Sequence, residues 1–334
     1  MGRGPARAAF SLLALAVVWA AALDGTLSAF NASSTTASNA FTVAADWTAP
    51  TVSAAAIGRT NAYDTGFIKK AGVYYVYANA SDSGNPASGI ASITANVGSI
   101  TAGKTAVALA GGSFNAGGVA YNYRSAALTA GGSLAAGTYT YAITSTDAAS
   151  NVGTTQSFTT AVDNTAPTAV DVQSGNVSGG TVGHLDQGDT LTLAYSGSID
   201  PYSVLSRWTG AATDVQVALV DGGGTASDSI YVYTAAVSPV QIPVGVVELG
   251  ASRYLNLGSG HYVTYGATGS AAPSTMTREG SNIVIVLGTP NGTSLTSTTR
   301  EDMNWIPSTS ATDIAGNAVG GLAAKQSGKA HVNF

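Results

Sequence analysis

Strict alternation of side chains limits what this chain can fold into more than any other feature. Residues 73–78 set Val73, Tyr75 and Tyr77 on one side of an extended segment, and residues 137–143 do the same for Tyr139, Tyr141 and Ile143. Side chains of a strand point to opposite faces in turn, whereas a helix repeats every 3.6 residues, so these runs specify strands. Further extended runs occupy 51–56, 89–97, 105–109, 119–123 and 154–162, with Gly, Asn, Asp and Ser supplying turns between them. Seven short strands without a helical interruption predict an antiparallel sandwich.

The same period continues beyond residue 165. Leu191, Leu193 and Tyr195 share a face, as do Val215, Val217 and Leu219, and Ile283, Ile285 and Leu287. Two similar marks divide the chain: Asp46-Trp-Thr-Ala-Pro-Thr51 recurs as Asp163-Asn-Thr-Ala-Pro-Thr168, 117 residues later. Proline fixes φ and forces the residue before it extended, which suits a stiff lead into a first strand. That spacing is the length of one sandwich domain. The expected fold is all-β: two tandem immunoglobulin-like β-sandwich modules, 46–164 and 165–334, the second enlarged by an insert at about 235–277.

Arg3 and Arg7 precede an apolar run over residues 8–23, the pattern of a cleavable export signal. An uncleaved signal is the one route to a membrane that the sequence offers. Only 9% of the 334 residues are charged, against about 25% in ordinary globular chains, and Ala, Gly, Ser and Thr fill the difference. That composition suits a secreted or wall protein. Removal of residues 1–29 would leave 11 basic against 17 acidic side chains, a balance that excludes nucleic acid as a partner class. Zero Cys excludes disulfides, thiolate metal sites and a thiol nucleophile.

Residues 25–43, with Gly25-Thr-Leu-Ser-Ala-Phe-Asn31 and Asn39-Ala-Phe-Thr-Val43, resemble the start of camelysin and TasA-like proteins. That resemblance implies cleavage between Ala29 and Phe30 and a polar arm over residues 30–45. The first module carries Asp82-Ser-Gly-Asn-Pro-Ala-Ser-Gly-Ile90, Gly137-Thr-Tyr-Thr-Tyr141, Asp147-Ala-Ala-Ser-Asn151 and Asp163-Asn-Thr-Ala-Pro167. This set resembles the bacterial immunoglobulin-like repeat of adhesins and cell-wall proteins. Gly188-Asp-Thr-Leu-Thr-Leu193, Ile199-Asp-Pro201 and Asp313-Ile-Ala-Gly-Asn317 are similar to the larger modules of S-layer and surface proteins. Both resemblances imply a fold and a cell-surface setting, and neither names a ligand, because such folds host many unrelated roles.

Asp-x-Ala-x-Asn occurs twice, as Asp147 to Asn151 and Asp313 to Asn317. Asp and Asn four residues apart in a tight turn can offer oxygens to a hard cation such as Ca²⁺, with Asp82 and Asp163 converging on the first site and Asp186 and Asp189 forming a separate acidic loop. The same side chains can instead close an Asx turn on their own backbone. Neither HExxH nor Gly-x-Ser-x-Gly is present. His184 beside Asp186 is expected as a solvated loop histidine; a Ser-His-Asp arrangement would need geometry that sequence does not supply. His261 and His331 lie on separate segments, and Glu248, Glu279 and Glu301 form no evident acid pair. Most tyrosines alternate along strands, while Tyr202, Trp208, Tyr254, Tyr262 and Tyr265 fall in less regular segments and are candidates for an exposed glycan-stacking platform.

Together these features predict a secreted or cell-surface structural or adhesive protein that is not an enzyme and requires no cofactor. Its partners would be envelope or matrix proteins or glycans, or its own copies through donation of the 30–45 arm to a strand edge. A carbohydrate-binding accessory module is the rival reading, and a hydrolase the third.

Overall fold

A computed structural model describes residues 46–250, 254–299, 301–328 and 333–334. The signal, its cleavage position, the 30–45 arm and His331 lie outside the described residues. The fold is all-β, with one strand set on each side of the Asp163 mark.

In the first set β1 (Thr51–Gly58), β2 (Phe67–Ile68), β3 (Val73–Ser81), β4 (Ile90–Asn96), β5 (Val107–Ala116), β6 (Val119–Ser125), β7 (Leu128–Thr129), β8 (Gly137–Asp147) and β9 (Gln156–Val162) pair in the order β1-β3-β6-β5-β4-β8-β9-β2, with β7 beside β3. All pairings are antiparallel except β2 with β9. The seven alternating runs are thus strands, and two two-residue strands, too short to show a period, join them. Ile57, Tyr74, Val76, Ile93, Tyr141 and Ile143 form the core between the strand layers. Burial of each such side chain stabilises by roughly 1.5–3 kcal/mol. The face of β3 turned to this core is Tyr74, Val76 and Ala78; Tyr75 and Tyr77 pack on the other side with Phe114, Ala116 and Tyr121, and Val73 is exposed. Arg124 covers that second cluster, 4.9 Å from the Tyr75 ring and 4.5 Å from Phe114, so β3 is buried on both faces.

The second set holds β10 (Ala169–Gly175), β11 (Thr190–Tyr195), α1 (Pro201–Val204), β12 (Thr213–Val220), β13 (Ser229–Thr234), β14 (Val246–Glu248), β15 (Tyr262–Tyr265), β16 (Ser274–Glu279), β17 (Asn282–Val286), β18 (Asn304–Ile306) and β19 (Ala324–Lys325). Its order is β10-β11-β17-β16-β12-β13-β14-β18-β19, with β15 also on β12. Asp171 on β10 accepts from Ser327 N and Oγ, both at 2.8 Å, drawing the two ends of the path together. Trp305 sits fully buried with its ring edge-on to Tyr195 at 4.7 Å. Segment 235–277 is integral to this core: it supplies β14, β15 and the start of β16 and buries Ile242, Val244, Tyr254 and Tyr265.

Candidate functional site

Each module is closed by the same clasp. Asn151 donates its backbone N–H to Asp147 Oδ1 at 2.7 Å and its amide to Asp147 Oδ2 at 2.8 Å and to the Asp46 carbonyl at 3.1 Å. In the second module Asn317 donates to Asp313 Oδ1 at 2.8 Å, to Asp313 Oδ2 at 2.8 Å and to the Asp163 carbonyl at 3.0 Å. The residue before each Asn is left-handed, Ser150 at φ 71 and Gly316 at φ 93. Both Asp-x-Ala-x-Asn segments are therefore Asx-type turns that tie the end of a module to its leading residue.

One carboxylate oxygen from each of Asp46, Asp82 and Asp147 lies within 4.8 Å of the others at the first clasp. Asp46 and Asp147 are buried, Asp82 half-buried. Backbone N–H groups of Ser88 at 2.8 Å and Thr48 at 2.9 Å hold the Asp46 carboxyl below the usual carboxylate range. Asp82 accepts from Gly89 N at 2.7 Å. A Cβ on Gly84 would overlap the Asp46 carboxylate, so loop 82–89 closes over Asp46 only with glycine there. This all-oxygen set is of the kind a hard cation takes, and each carboxylate retains lone pairs beyond its N–H bonds.

Asp163 is not part of that group. It occupies the position of Asp46 one module later, accepts from Thr165 N at 2.8 Å, and stands at the second clasp with Asp313. Asp186 and Asp189 form a loop of their own, but their oxygens are taken up internally: Asp189 accepts from Val177 N at 2.8 Å and Asp186 N at 2.7 Å, and Asp186 from Thr181 N at 2.6 Å, its other oxygen facing the His184 ring.

The second clasp is where the modules meet. Arg59, just past β1, donates through Nε to the Ile314 carbonyl at 3.1 Å and through Nη2 to the Asp313 carbonyl at 3.1 Å and Asp200 Oδ2 at 3.0 Å. Lys69 Nζ donates to the Gly316 carbonyl at 2.6 Å, and Asn164 links back to Lys70 N and the Leu134 carbonyl. Asp200, 1% exposed, caps α1 through Tyr202 N at 3.0 Å and accepts Tyr63 N at 3.0 Å. Burial pushes its carboxyl up, and these N–H groups and Arg59 oppose that shift. Tyr63 meets Tyr202 edge-on at 5.7 Å, with Arg278 5.5 Å from the Tyr63 ring. Beside this joint a cleft is lined by Arg59, Asn61, Gly117, Tyr202 and Arg207, of which Asn61, Gly117 and Arg207 are left-handed.

His184 is held rather than solvated. Its Nδ1 lies 2.9 Å from Asp186 Oδ1 and its Nε2 3.1 Å from Ser294 Oγ, the order of a nucleophile-activating chain. Ser294 is 6% exposed, and its hydroxyl also lies 3.5 Å from the Leu185 carbonyl. The hydroxyl lies in a buried residue, and the His184–Ser294 contact staples loop 291–297 to loop 183–186.

The expected aromatic platform is not formed. Tyr254 and Tyr265 are fully buried, donating to the Asn333 carbonyl at 2.9 Å and the Leu185 carbonyl at 3.2 Å, and Trp208 donates to the Ala211 carbonyl at 2.6 Å. Irregular backbone around a tyrosine does not make it exposed when its hydroxyl finds an internal carbonyl. Tyr202 belongs to the joint, and Tyr262 stands exposed without the others. No family model, curated protein or solved structure matches the chain.

Proposed function

We propose that this protein is a secreted structural or adhesive component of a cell surface, built of immunoglobulin-like modules, that acts by presenting contact surfaces in fixed relation and not by catalysis. The observation that supports this most is the joint: the side chains of Arg59 and Lys69 and the backbone N–H of Tyr63, all of the first module, donate to Asp200, Asp313, Ile314 and Gly316 of the second. Interfaces between domains of one chain are ordinarily loose unless specifically held. A connection with this many directed bonds makes a spacer whose ends keep their distance. Low charge, the export-like start and the enclosed Ser294 fit the same reading.

The test sets binding against turnover. Purified protein is applied to immobilised envelope and matrix proteins and, in parallel, to a hydrolase panel with a fluorophosphonate probe. Saturable binding without labelling is expected; turnover that is lost in His184→Ala would overturn the reading.

A further inference from the structure

The first module carries the acceptor half of a joint that the second module uses. Strand register matches the clasps residue by residue: Ile90 pairs with Asp147 as Ile199 pairs with Asp313. At the second clasp Ala315, Gly316 and Asn317 are buried, and the carbonyls of Asp313, Ile314 and Gly316 receive Arg59 and Lys69. The equivalent Ala148 and Ser150 of the first clasp are exposed, Ala149 and Asn151 half-buried. A second position tells the same story independently. Asn164, the link residue that follows Asp163, packs onto the preceding module, accepting from Lys70 N and donating to the Leu134 carbonyl. Trp47, which follows Asp46, is 66% exposed. A bare tryptophan beside buried carboxylates is the composition of an interface anchor.

We propose that this end of the first module, formed by Trp47, the Ala148 and Ser150 carbonyls and the Asp46-Asp82-Asp147 carboxylates, docks the trailing loop segment of another sandwich module that bears Arg and Lys in the positions of Arg59 and Lys69. The carboxylates take the place of Asp200, since the residue following Ile90 is Ala91. Ser150 replaces Gly316, where a Cβ would come 2.9 Å from Arg59 Nη1, so the incoming arginine stands off by a few tenths of an ångström. The second module of another copy does not fit. Its β10 ends in Gly175 with Asn176 next, where Gly58 is followed by Arg59, and its Gly183-His-Leu-Asp186 matches Gly66-Phe-Ile-Lys69, placing Asp186 opposite the acids. The partner is therefore a different, basic-ended module.

This names a partner class within the contact-based function above and rests on it, but the two fail separately, because the experiment reads joint geometry and not binding to envelope material. Residues 46–334 are preceded by a second copy of residues 46–162, so that the added 59–69 segment faces Trp47 through a linker of natural form. Nitroxides at Thr105→Cys in both copies report the distance between them, with the native joint labelled separately to confirm folding. A single narrow distribution is expected in chelator, lost when Arg59→Ala and Lys69→Ala are placed in the added copy and broadened by Trp47→Ala. A broad distribution in the parent, a narrow one that survives Arg59→Ala and Lys69→Ala, or one that narrows only with added calcium would overturn the proposal, the last in favour of a cation site.

Discussion

Asn151 and Asn317 each make three bonds that hold a turn and fasten it to the start of a module. Asn151→Ala is expected to destabilise its module by about 1–2 kcal/mol, the range for losing hydrogen bonds whose partners stay in place. Asn317→Ala should cost a similar amount and also loosen the joint, because its turn carries the Arg59 and Lys69 acceptors. Urea titrations of the two variants check this. Ser294→Ala, which removes one end of the His184 staple, should lower stability by about 1 kcal/mol and leave fluorophosphonate labelling at background in variant and parent alike. At this scale sequence was only partly readable. The repeated Asp-x-Ala-x-Asn points to the clasps, yet Asp163, expected at the first, stands at the second. The leading mark belongs to the module it opens, so the Asp46 carbonyl takes the amide of Asn151 and the Asp163 carbonyl that of Asn317. The recurrence of the mark was the available signal, and it lacked only the direction in which each copy folds back.

Strands were the most legible elements, since alternation is imposed by the pleat itself. What alternation could not give was which face looks inward when both are covered, as in β3, where Tyr74 and Tyr77 are both buried on opposite sides. Nor could it foresee that residues 235–277 would enter the core, because β14 and β15 are three and four residues long and carry too short a period to register. The joint segment 59–69, running from the end of β1 past β2, was silent in sequence for another reason: Arg59 and Lys69 look like ordinary solvated charges until the second module is brought to them. Arg59→Ala leaves Asp200 buried without its ion-pair partner, and about 2–3 kcal/mol of loss is expected from a hydrogen-bonded charge pair of this burial. Asp200→Asn added to Arg59→Ala should restore part of it. Thermal unfolding of the single and double variants distinguishes this from a surface ion pair, for which both changes would be nearly silent.

Across the whole molecule the fold is stabilised by buried neutral phenols, and this sets its response to alkali. Burial pushes the Tyr254 and Tyr265 hydroxyls from an ordinary 10.0 up to about 12, and raises Tyr141 and Tyr195 as well. A raised folded-state pKa favours the protonated form. Its contribution is therefore fully present below pH 10 and declines as pH rises toward 12. Unfolding followed by circular dichroism should coincide with tyrosinate absorbance in that window, whereas tyrosinate formation well before unfolding would show the phenols to be accessible. The claim on which the function rests is that the two modules form one stiff body. The absence of native cysteine allows Thr105→Cys and Thr268→Cys, both at exposed positions, to carry nitroxides for a distance measurement across the joint. A single narrow distribution that broadens in Arg59→Ala with Lys69→Ala is the predicted result; a broad distribution in the parent protein would contradict it.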